Sequence, residues 1–449
     1  MKEEKAMEQL TGKMYYDMYQ ILDGKEVTVS GWVKTKRIGK EVAFLEVSDG
    51  TYLKPIQVVA SGSLLAELDF GVGSCVAVTG DLACTPEAKQ PFEIKAKVIH
   101  VYCGADSTYP IQKKRHSSEF LRTIPHLRPR TNLYASVFRV YSVMMRGITK
   151  FLDEEGFVQI HTPIMTSCDG EGAGEVFRLK TEKFYGKESY LAVTGQLHLE
   201  AFALSLRKVY DFCPSFRAED SNTTRHLAEF WQVEPEIAFC TLEDLIPFVE
   251  SFCKSVISYC LKEAAEEMTF FDRFVEPGLL EKLRGTISQP FARISHKEAM
   301  ELLAKSGESF EAPVYPGAPL QTEHERYLAD VIFGRPVFVT DYPKEQKAFY
   351  MYQNPDGETV AATDLLFPQI GEIVGGSQRE DRLERLQERI QECGLSEEDY
   401  GWYCDLRRYG SAPHSGFGMG TERLMRYITG MENIRDVVPY PRTPGGIAF

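Results

Sequence analysis

No stretch of this 449-residue chain approaches the roughly 18 to 20 consecutive apolar residues that cross a bilayer. It has no internal repeat and no low-complexity tract, which argues against solenoids and disordered arrays. Its ten cysteines stand at Cys75, Cys84, Cys103, Cys168, Cys213, Cys240, Cys253, Cys260, Cys393 and Cys404. None forms a CxxC pair, so zinc-ribbon and thioredoxin-like readings fail. The first residues, MKEEKAMEQL, are too acidic for a secretory or organelle presequence. Scattered cysteines without such a segment lead us to expect reduced, mostly buried thiols and a cytoplasmic location. An excess of positive charge is also missing. The chain carries 51 basic and 65 acidic residues, a net of -14, so total charge gives no sign of nucleic acid.

What remains is an ordinary soluble composition, 43% hydrophobic and 26% charged, in a chain long enough for about two to three domains. Charge is unevenly spread. Residues 1–115 balance 15 basic against 15 acidic residues, and the rest hold 36 against 50. Local basic clusters therefore matter more than the total. KTKRIGK (34–40) and KKRHSSEFLRTIPHLRPR (113–130) are two of them.

The early part reads as short strands: EVTVSGWVKTKRI, VAFLEVSDG, KPIQVVA, SCVAVTGDLAC and FEIKAKVIHVYCG, divided by Gly, Asp and Pro. Five such runs in roughly 80 residues predict a small β-barrel of the OB-fold type. We place it at 26–104, after an N-terminal extension at 1–25. Residues 105–132, with Pro110, Pro125 and Pro129, predict a hinge. From Thr131 to about Glu155 the period becomes helical, with Val137, Val140, Met144, Ile148 and Phe151 on one face. Helices and strands then alternate through 133–449, an α+β pattern. SQREDRLERLQERIQE (377–392) predicts a helix with an apolar stripe of Leu383, Leu386 and Ile390 and a solvated charged face.

Three clusters could carry chemistry. VYDFCPSFRAEDSNTTRHLAEFWQVEPEIAF (209–239) predicts a hairpin with a long polar tip, near which Arg217, Arg225, His226 and Phe230 would converge. Guanidinium groups bind polyphosphate bidentately, and an aromatic face suits a base. PHSGFGMGTERLMRYITG (413–430) places Gly416, Gly418 and Gly420 at the opening of an expected helix, with Arg423 in its first turn. It is not a GxGxxG fingerprint and no parallel βαβ unit surrounds it, which argues against a Rossmann site. ATDLLFPQIGEIVGGSQRE (362–380) offers Asp364 and Glu372 for Mg²⁺ beside phosphates, and Arg379 as a buried guanidinium needing an anionic or carbonyl partner. Each cluster alone also has an ordinary structural reading: a surface hairpin, close helix packing, an ion pair.

Together they resemble the class II aminoacyl-tRNA synthetases of the aspartate/asparagine/lysine subgroup. GFVQIHTPIMT is similar to motif 1, FRAE with RHLAEF to motif 2, and GFGMGTER to motif 3. GWVKTKR, FLEVSDG and IQVV resemble that subgroup's anticodon-binding OB-fold. The likeness runs from about residue 26 to Phe449, weakest in 270–330. Within the subgroup, YLAVTGQLHLE, FWQVEPEIAF, DYPKEQKAFYM, GEIVGGSQRE, DLRRYGSAPHSGFGMG and NIRDVVPYPRTPG look like the asparaginyl enzymes. The implied fold is an antiparallel sheet flanked by helices, joined to the barrel by the 105–132 hinge. The implied assembly is a homodimer through motif 1, with no membrane partner.

The resemblance implies ATP-dependent ligation of asparagine to its tRNA through an asparaginyl-adenylate. Arg217 would hold the α-phosphate and the attacking carboxylate, and Arg423 the γ-phosphate of a bent ATP. Arg225 and His226 would also meet phosphate, Phe230 would stack on adenine, and Glu219 would lie by the adenine or the tRNA end. Gly418 and Gly420 belong to the same ATP site. Asp364 and Glu372 would hold Mg²⁺. Glu171, in CDGEGAGE, and Gln196 match positions that contact the substrate's ammonium or backbone, and Arg379 the one that contacts its side-chain oxygen. Leu199 stands where the aspartyl enzymes carry a lysine, which favours a neutral amide. Glu234 would accept from that amide and repel an aspartate carboxylate. For the anticodon, Phe44 would stack on a base, Gln57 would read the central one, and Lys36 and Arg37 would meet phosphate. The alternatives are an aspartyl or non-discriminating synthetase, an RNA-independent asparagine synthetase-like enzyme, and a non-catalytic RNA-binding relative.

Overall fold

The computed structural model describes residues 10–168, 170, 175–221, 223–396 and 398–447. The chain separates into two units, Met1–Ser136 and Val137–Phe449.

In the first unit five strands close a barrel: β1 (Glu26–Ile38), β2 (Val42–Ser48), β3 (Ile56–Ser61), β4 (Cys75–Cys84) and β5 (Phe92–Cys103), ordered β1-β2-β3-β5-β4. All five coincide with the runs read from sequence. Period-2 alternation places Val29, Ala43, Leu45, Val47, Val58 and Val78 inside, each at most 1% exposed. Closure needs glycine at one crossing, where a Cβ on Gly80 would fall 2.1 Å from the Lys95 carbonyl oxygen. A helix, Gly12–Leu22, capped by the Thr11 hydroxyl, packs on this barrel. Its Tyr15, Tyr16 and Tyr19 surround the Phe92 ring. The segment expected to be irregular holds a short helix, Ser118–Thr123, capped by Ser117. Arg128 follows, fully buried with its guanidinium 4.5 Å from the Tyr134 ring centroid.

The second unit is built on a sheet of eight strands: β6 (Val158–Gln159), β10 (Lys208–Phe216), β11 (Glu229–Ala238), β12 (Ala292–Ser295), β13 (Val337–Pro343), β14 (Thr359–Phe367), β15 (Gly371–Gln378) and β16 (His414–Gly420). Three short strands, β7 (Met165–Thr166), β8 (Arg178–Leu179) and β9 (Ser189–Leu191), form a separate small sheet. The large sheet runs β12-β13-β14-β15-β16-β11-β10-β6, antiparallel except at its two edge pairs. The long helix Asn132–Glu154 buries the predicted stripe of Val137, Val140, Met144 and Ile148 completely. Helix Leu242–Glu263 covers the back of the sheet, its Phe252 meeting Phe417 of β16. Segment 270–330 supplies helices, the edge strand β12 and a short helix, Thr322–Arg326. No helix among the described residues is long and apolar enough to cross a membrane.

Two local expectations are corrected. The helix predicted over 377–392 begins at Leu383, because β15 continues to Gln378 and Glu380 then binds the Arg382 guanidinium at 2.7 Å. Nor is its charged face uniformly solvated: Arg389 is 5% exposed and donates to the Lys344 carbonyl at 2.9 Å. Of the three glycines expected to open the helix at 421–429, only Gly420 does, as its N-cap. All three occupy alternate positions of β16, the strand before it.

Candidate active site

The front of the sheet is polar because of which residues alternate forward. On β11 these are Phe230, Gln232, Glu234 and Glu236, and on β10 Asp211, Cys213 and Ser215. Glu229–Ala238 pairs with β16 so that Gln232 faces Gly420 and Glu236 faces Gly416. The glycines make room for the acids. A Cβ on Gly416 would stand 1.9 Å from Glu236 Oε2, and one on Gly418 would stand 3.3 Å from Gln232 Oε1.

Two cavities open on this floor. One, of about 230 Å³, is lined by Arg217, Glu219, Arg225, His226, Phe230, Gly418, Gly420 and Arg423. The other, of about 630 Å³, is lined by Gln196, Glu234, Lys347, Tyr350, Asp364 and Arg379. Arg217, Gln232, Glu372 and Gly418 line both, so the cavities meet there. The structure thus brings all the residues proposed for ATP into one recess and three of the five proposed for the amino acid, Gln196, Glu234 and Arg379, into the adjoining one.

In the first cavity the loop 217–228 is pinned at its base, where Arg217 N donates to the Ala228 carbonyl at 3.0 Å. The Arg217 guanidinium lies 5.4 Å from the Phe230 ring centroid. Arg423 donates to the Glu372 carbonyl oxygen at 2.9 Å and to its carboxylate at 3.2 Å. Burial would raise the Glu372 carboxyl, but Arg423, Lys347 and Arg217 outweigh it and hold it down at about 2. Burial, with Arg423 next, depresses His226 below the usual histidine range. Its Nδ1 meets the hydroxyls of Ser221 and Thr223 at 2.9 and 2.7 Å. Three guanidinium groups thus line the recess, with Arg225 and Arg423 already oriented by Glu325 and Glu372.

In the second cavity Arg379 forms a bidentate pair with Glu236, 2.9 Å on each arm, and donates to Ser377 Oγ at 2.8 Å. Both partners are at most 1% exposed. With its amide oxygen turned toward them, Gln196 accepts from Gly418 N at 3.3 Å and from Arg379 Nη2 at 3.2 Å. Glu234 accepts from the Thr194 hydroxyl, from Gly195 N at 2.8 Å and from Cys213 Sγ at 3.3 Å. Burial pushes its carboxyl up to about 7 against those hydrogen bonds. Lys347 bridges both oxygens of Asp364 at 2.8 and 2.6 Å and lies over the Tyr342 ring.

The carboxylates of Asp364 and Glu372 converge on one glycine. A Cβ on Gly375 would stand 3.6 Å from Asp364 Oδ1 and 3.3 Å from Glu372 Oε1. No group of three or more His, Cys, Asp or Glu suited to a metal occurs among the described residues. Two hard oxygen donors lining the larger cavity fit Mg²⁺, which takes one or two carboxylates and completes its shell with water and substrate phosphates, once Lys347 gives up an oxygen of Asp364.

Two expectations land elsewhere. Leu199 does not line the cavity. It is fully buried in an apolar cluster with Ala203 and Val209. Lys36 faces inward on β1, opposite Leu45, and its ammonium donates to the carbonyls of Leu68, at 2.9 Å, and Phe70. That geometry spends its charge inside the barrel rather than on RNA phosphate. Glu171 lies outside the described residues. The outer barrel face does present Arg37 opposite Phe44, with Phe44 40% exposed and Gln57 one row away, donating to Glu93 at 3.1 Å.

Sequence reasoning missed Glu325, Lys347, Glu236 and Cys213. Glu325 takes Arg225 at 3.1 Å and Glu372 N at 3.2 Å. It sits in the segment where no motif was visible. Lys347 lay in the quoted run DYPKEQKAFYM, and Glu236 two residues beyond Glu234 on the same face.

Residues 117–444 match the family model "tRNA synthetases class II (D, K and N)", and residues 27–102 match an OB-fold nucleic acid binding domain. The chain is 53% identical to an asparagine–tRNA ligase of Clostridium beijerinckii, over 95% of this chain and 96% of that one. It is 51% identical to the one of Bacillus cytotoxicus, over 98% and 99%. Among solved structures, the asparaginyl-tRNA synthetase of Pyrococcus horikoshii complexed with asparaginyl-adenylate superposes with a TM-score of 0.90 at 34% identity, over 98% of this chain and 99% of that one. An eight-stranded sheet with a floor of glycines and acids, two joined polar cavities and a separate OB barrel therefore have one common account: the chain belongs to the class II tRNA synthetases of the D, K and N group.

Proposed function

We propose that the protein ligates asparagine to its tRNA in two steps. The observation that carries this reading is the meeting of an arginine-lined recess with a recess built around Arg379 and Glu234, at Arg217. In the first step the asparagine carboxylate attacks the α-phosphorus of ATP. The new P–O bond forms as the bond to the β-phosphate breaks, and pyrophosphate leaves. In the second, the terminal hydroxyl of the tRNA attacks the acyl carbon, forming the ester and releasing AMP. The nucleophile of the first step needs no base, because the carboxylate is already ionised. Positioning and charge neutralisation supply the rate.

Arg217 bridges the two recesses and suits the α-phosphate with the attacking carboxylate. Arg423, Arg225 and His226 suit the outgoing phosphates, and Phe230 the adenine face, with Glu219 at the rim. Asp364 and Glu372 would hold Mg²⁺, which when bound neutralises phosphate charge. Gln196 suits the substrate's backbone end. Arg379, already fixed by Glu236, suits the side-chain oxygen, and Glu234 the amide nitrogen. A carboxylate at Glu234 repels aspartate, which supports asparagine over its acid. On the barrel, Arg37, Phe44 and Gln57 suit the anticodon. A homodimer is supported by the motif 1 residues Val158, Ile164 and Met165, all 44% exposed or more beside the edge strand β6.

The test is amino-acid-dependent ATP–pyrophosphate exchange, followed by charging of asparagine tRNA. Exchange with asparagine alone is expected. Exchange with aspartate at comparable efficiency overturns the specificity, and no exchange overturns the activity.

A further inference from the structure

We propose that Cys213 is a positioning residue for substrate choice: its thiol holds one oxygen of Glu234 back, so that the other faces the substrate's side chain. This rests on the reading of Glu234 given above.

A carboxylate offers about four acceptor positions. Oε2 of Glu234 takes Gly195 N–H at 2.8 Å and the Cys213 thiol at 3.3 Å, which fills it. Among the described residues Oε1 takes only the Thr194 hydroxyl, whose own oxygen accepts from Gln196 N at 3.1 Å. Oε1 is also the oxygen 3.7 Å from where a Gly418 Cβ would be, on the side shared by both cavities. The one open acceptor position of Glu234 is therefore aimed by what occupies Oε2.

Strand register makes Cys213 the adjustable part of that arrangement. Glu234 pairs directly with Asp211 and Cys213 with Gln232, so the thiol reaches Glu234 diagonally across β10 and β11. The Gly195 donor is main chain. Asp211, directly opposite, is an acid occupied by Thr162, whose N–H lies at 3.0 Å. Arg217 and Arg379 line the same cavity. Burial, with Glu234 and Asp211 nearby, pushes the Cys213 thiol far above its usual range, so it stays a donor. Removing it takes away one of three hydrogen bonds favouring the ionised Glu234. The carboxyl would then hold its proton to higher pH, accept less well from an amide and repel aspartate less.

The experiment measures pyrophosphate exchange with asparagine and with aspartate between about pH 6 and 8.5 for wild type, Cys213→Ala, Cys213→Ser and Glu234→Gln. Loss of one hydrogen bond predicts about a 3- to 10-fold rise in KM for asparagine at neutral pH, with kcat little changed. The acidic limb of the 1/KM profile should move to higher pH in Cys213→Ala, and Cys213→Ser, which keeps a donor, should restore it. If Ser behaves as Ala, or neither moves the limb while Glu234→Gln abolishes it, the role of Cys213 is overturned and that of Glu234 stands. If Glu234→Gln itself leaves the limb and the preference for asparagine intact, the underlying reading fails. Should the Ala variant not fold, Cys213→Val, close to cysteine in size and without a donor, takes its place: a limb moved to higher pH supports the role, and an unmoved limb overturns it.

Discussion

The Arg225 guanidinium and the Glu325 carboxylate stand 3.1 Å apart, although 100 residues separate them in the chain. Glu325 also accepts from Glu372 N, so one acid ties the loop proposed to face phosphate to the strand carrying a proposed magnesium ligand. Glu325→Ala should free both. We expect KM for ATP in pyrophosphate exchange to rise about 3- to 10-fold, the loss of one or two charged hydrogen bonds, while KM for asparagine stays within about 2-fold.

Arg379 and Glu236 form a buried pair, so the two ends fail differently. Arg379→Lys keeps the charge but loses the fork, and should lower kcat/KM for asparagine by about 100-fold or more without weakening ATP binding. Arg379→Met leaves Glu236 buried and unpaired. A melting curve should show a loss of about 3–5 kcal/mol, and the double change with Glu236→Gln should recover part of it.

His226 is depressed first by burial and then by Arg423, with Arg225 and Arg217 also repelling its proton. In the free protein it should titrate below the usual histidine range near 6.5. Bound triphosphate reverses the sign of the local field, so its titration should move up. Histidine ring resonances followed by NMR, with and without a non-hydrolysable ATP analogue, read this directly. An unchanged or lowered midpoint on binding would contradict the placement of His226 beside phosphate.

On the barrel, Phe44→Ala should weaken tRNA binding by about 1–3 kcal/mol and leave exchange untouched. Arg37→Ala should reduce the salt slope of tRNA affinity by about 1. Lys36→Met should instead lower the melting temperature of the barrel, because its ammonium is tied to the Leu68 and Phe70 carbonyls. A salt slope reduced as strongly by Lys36→Met as by Arg37→Ala would contradict that distinction.

The barrel strands were legible because each is a period-2 run closed by Gly, Asp or Pro, and a strand's burial follows its own alternation. The helix at 12–22 was equally local, with Tyr15, Tyr19 and Leu22 spaced along one face, yet it went unread inside an assumed extension. The cluster at Arg217, Arg225 and Arg423 was legible from residue type and motif. Its anchors were not. Glu325, Lys347 and Cys213 act through partners 100, 17 and 21 residues away, distances set by sheet order rather than by any local pattern. Two of the glycines at 416, 418 and 420 were noticed for the wrong reason. Backbone freedom before a helix fits only Gly420, its N-cap, whereas strand register makes Gly416 and Gly418 the space beside Glu236 and Gln232.

That glycine strand limits how the substrate range can be redesigned. Engineers usually deepen a binding site by shortening the side chains beneath it. Here part of the base is already main chain, at Gly375, Gly376 and Gly418, with nothing left to trim there. Larger amino acids would have to be admitted sideways, past Lys347 and Tyr350, and the depth of the site is a fixed dimension of the sheet.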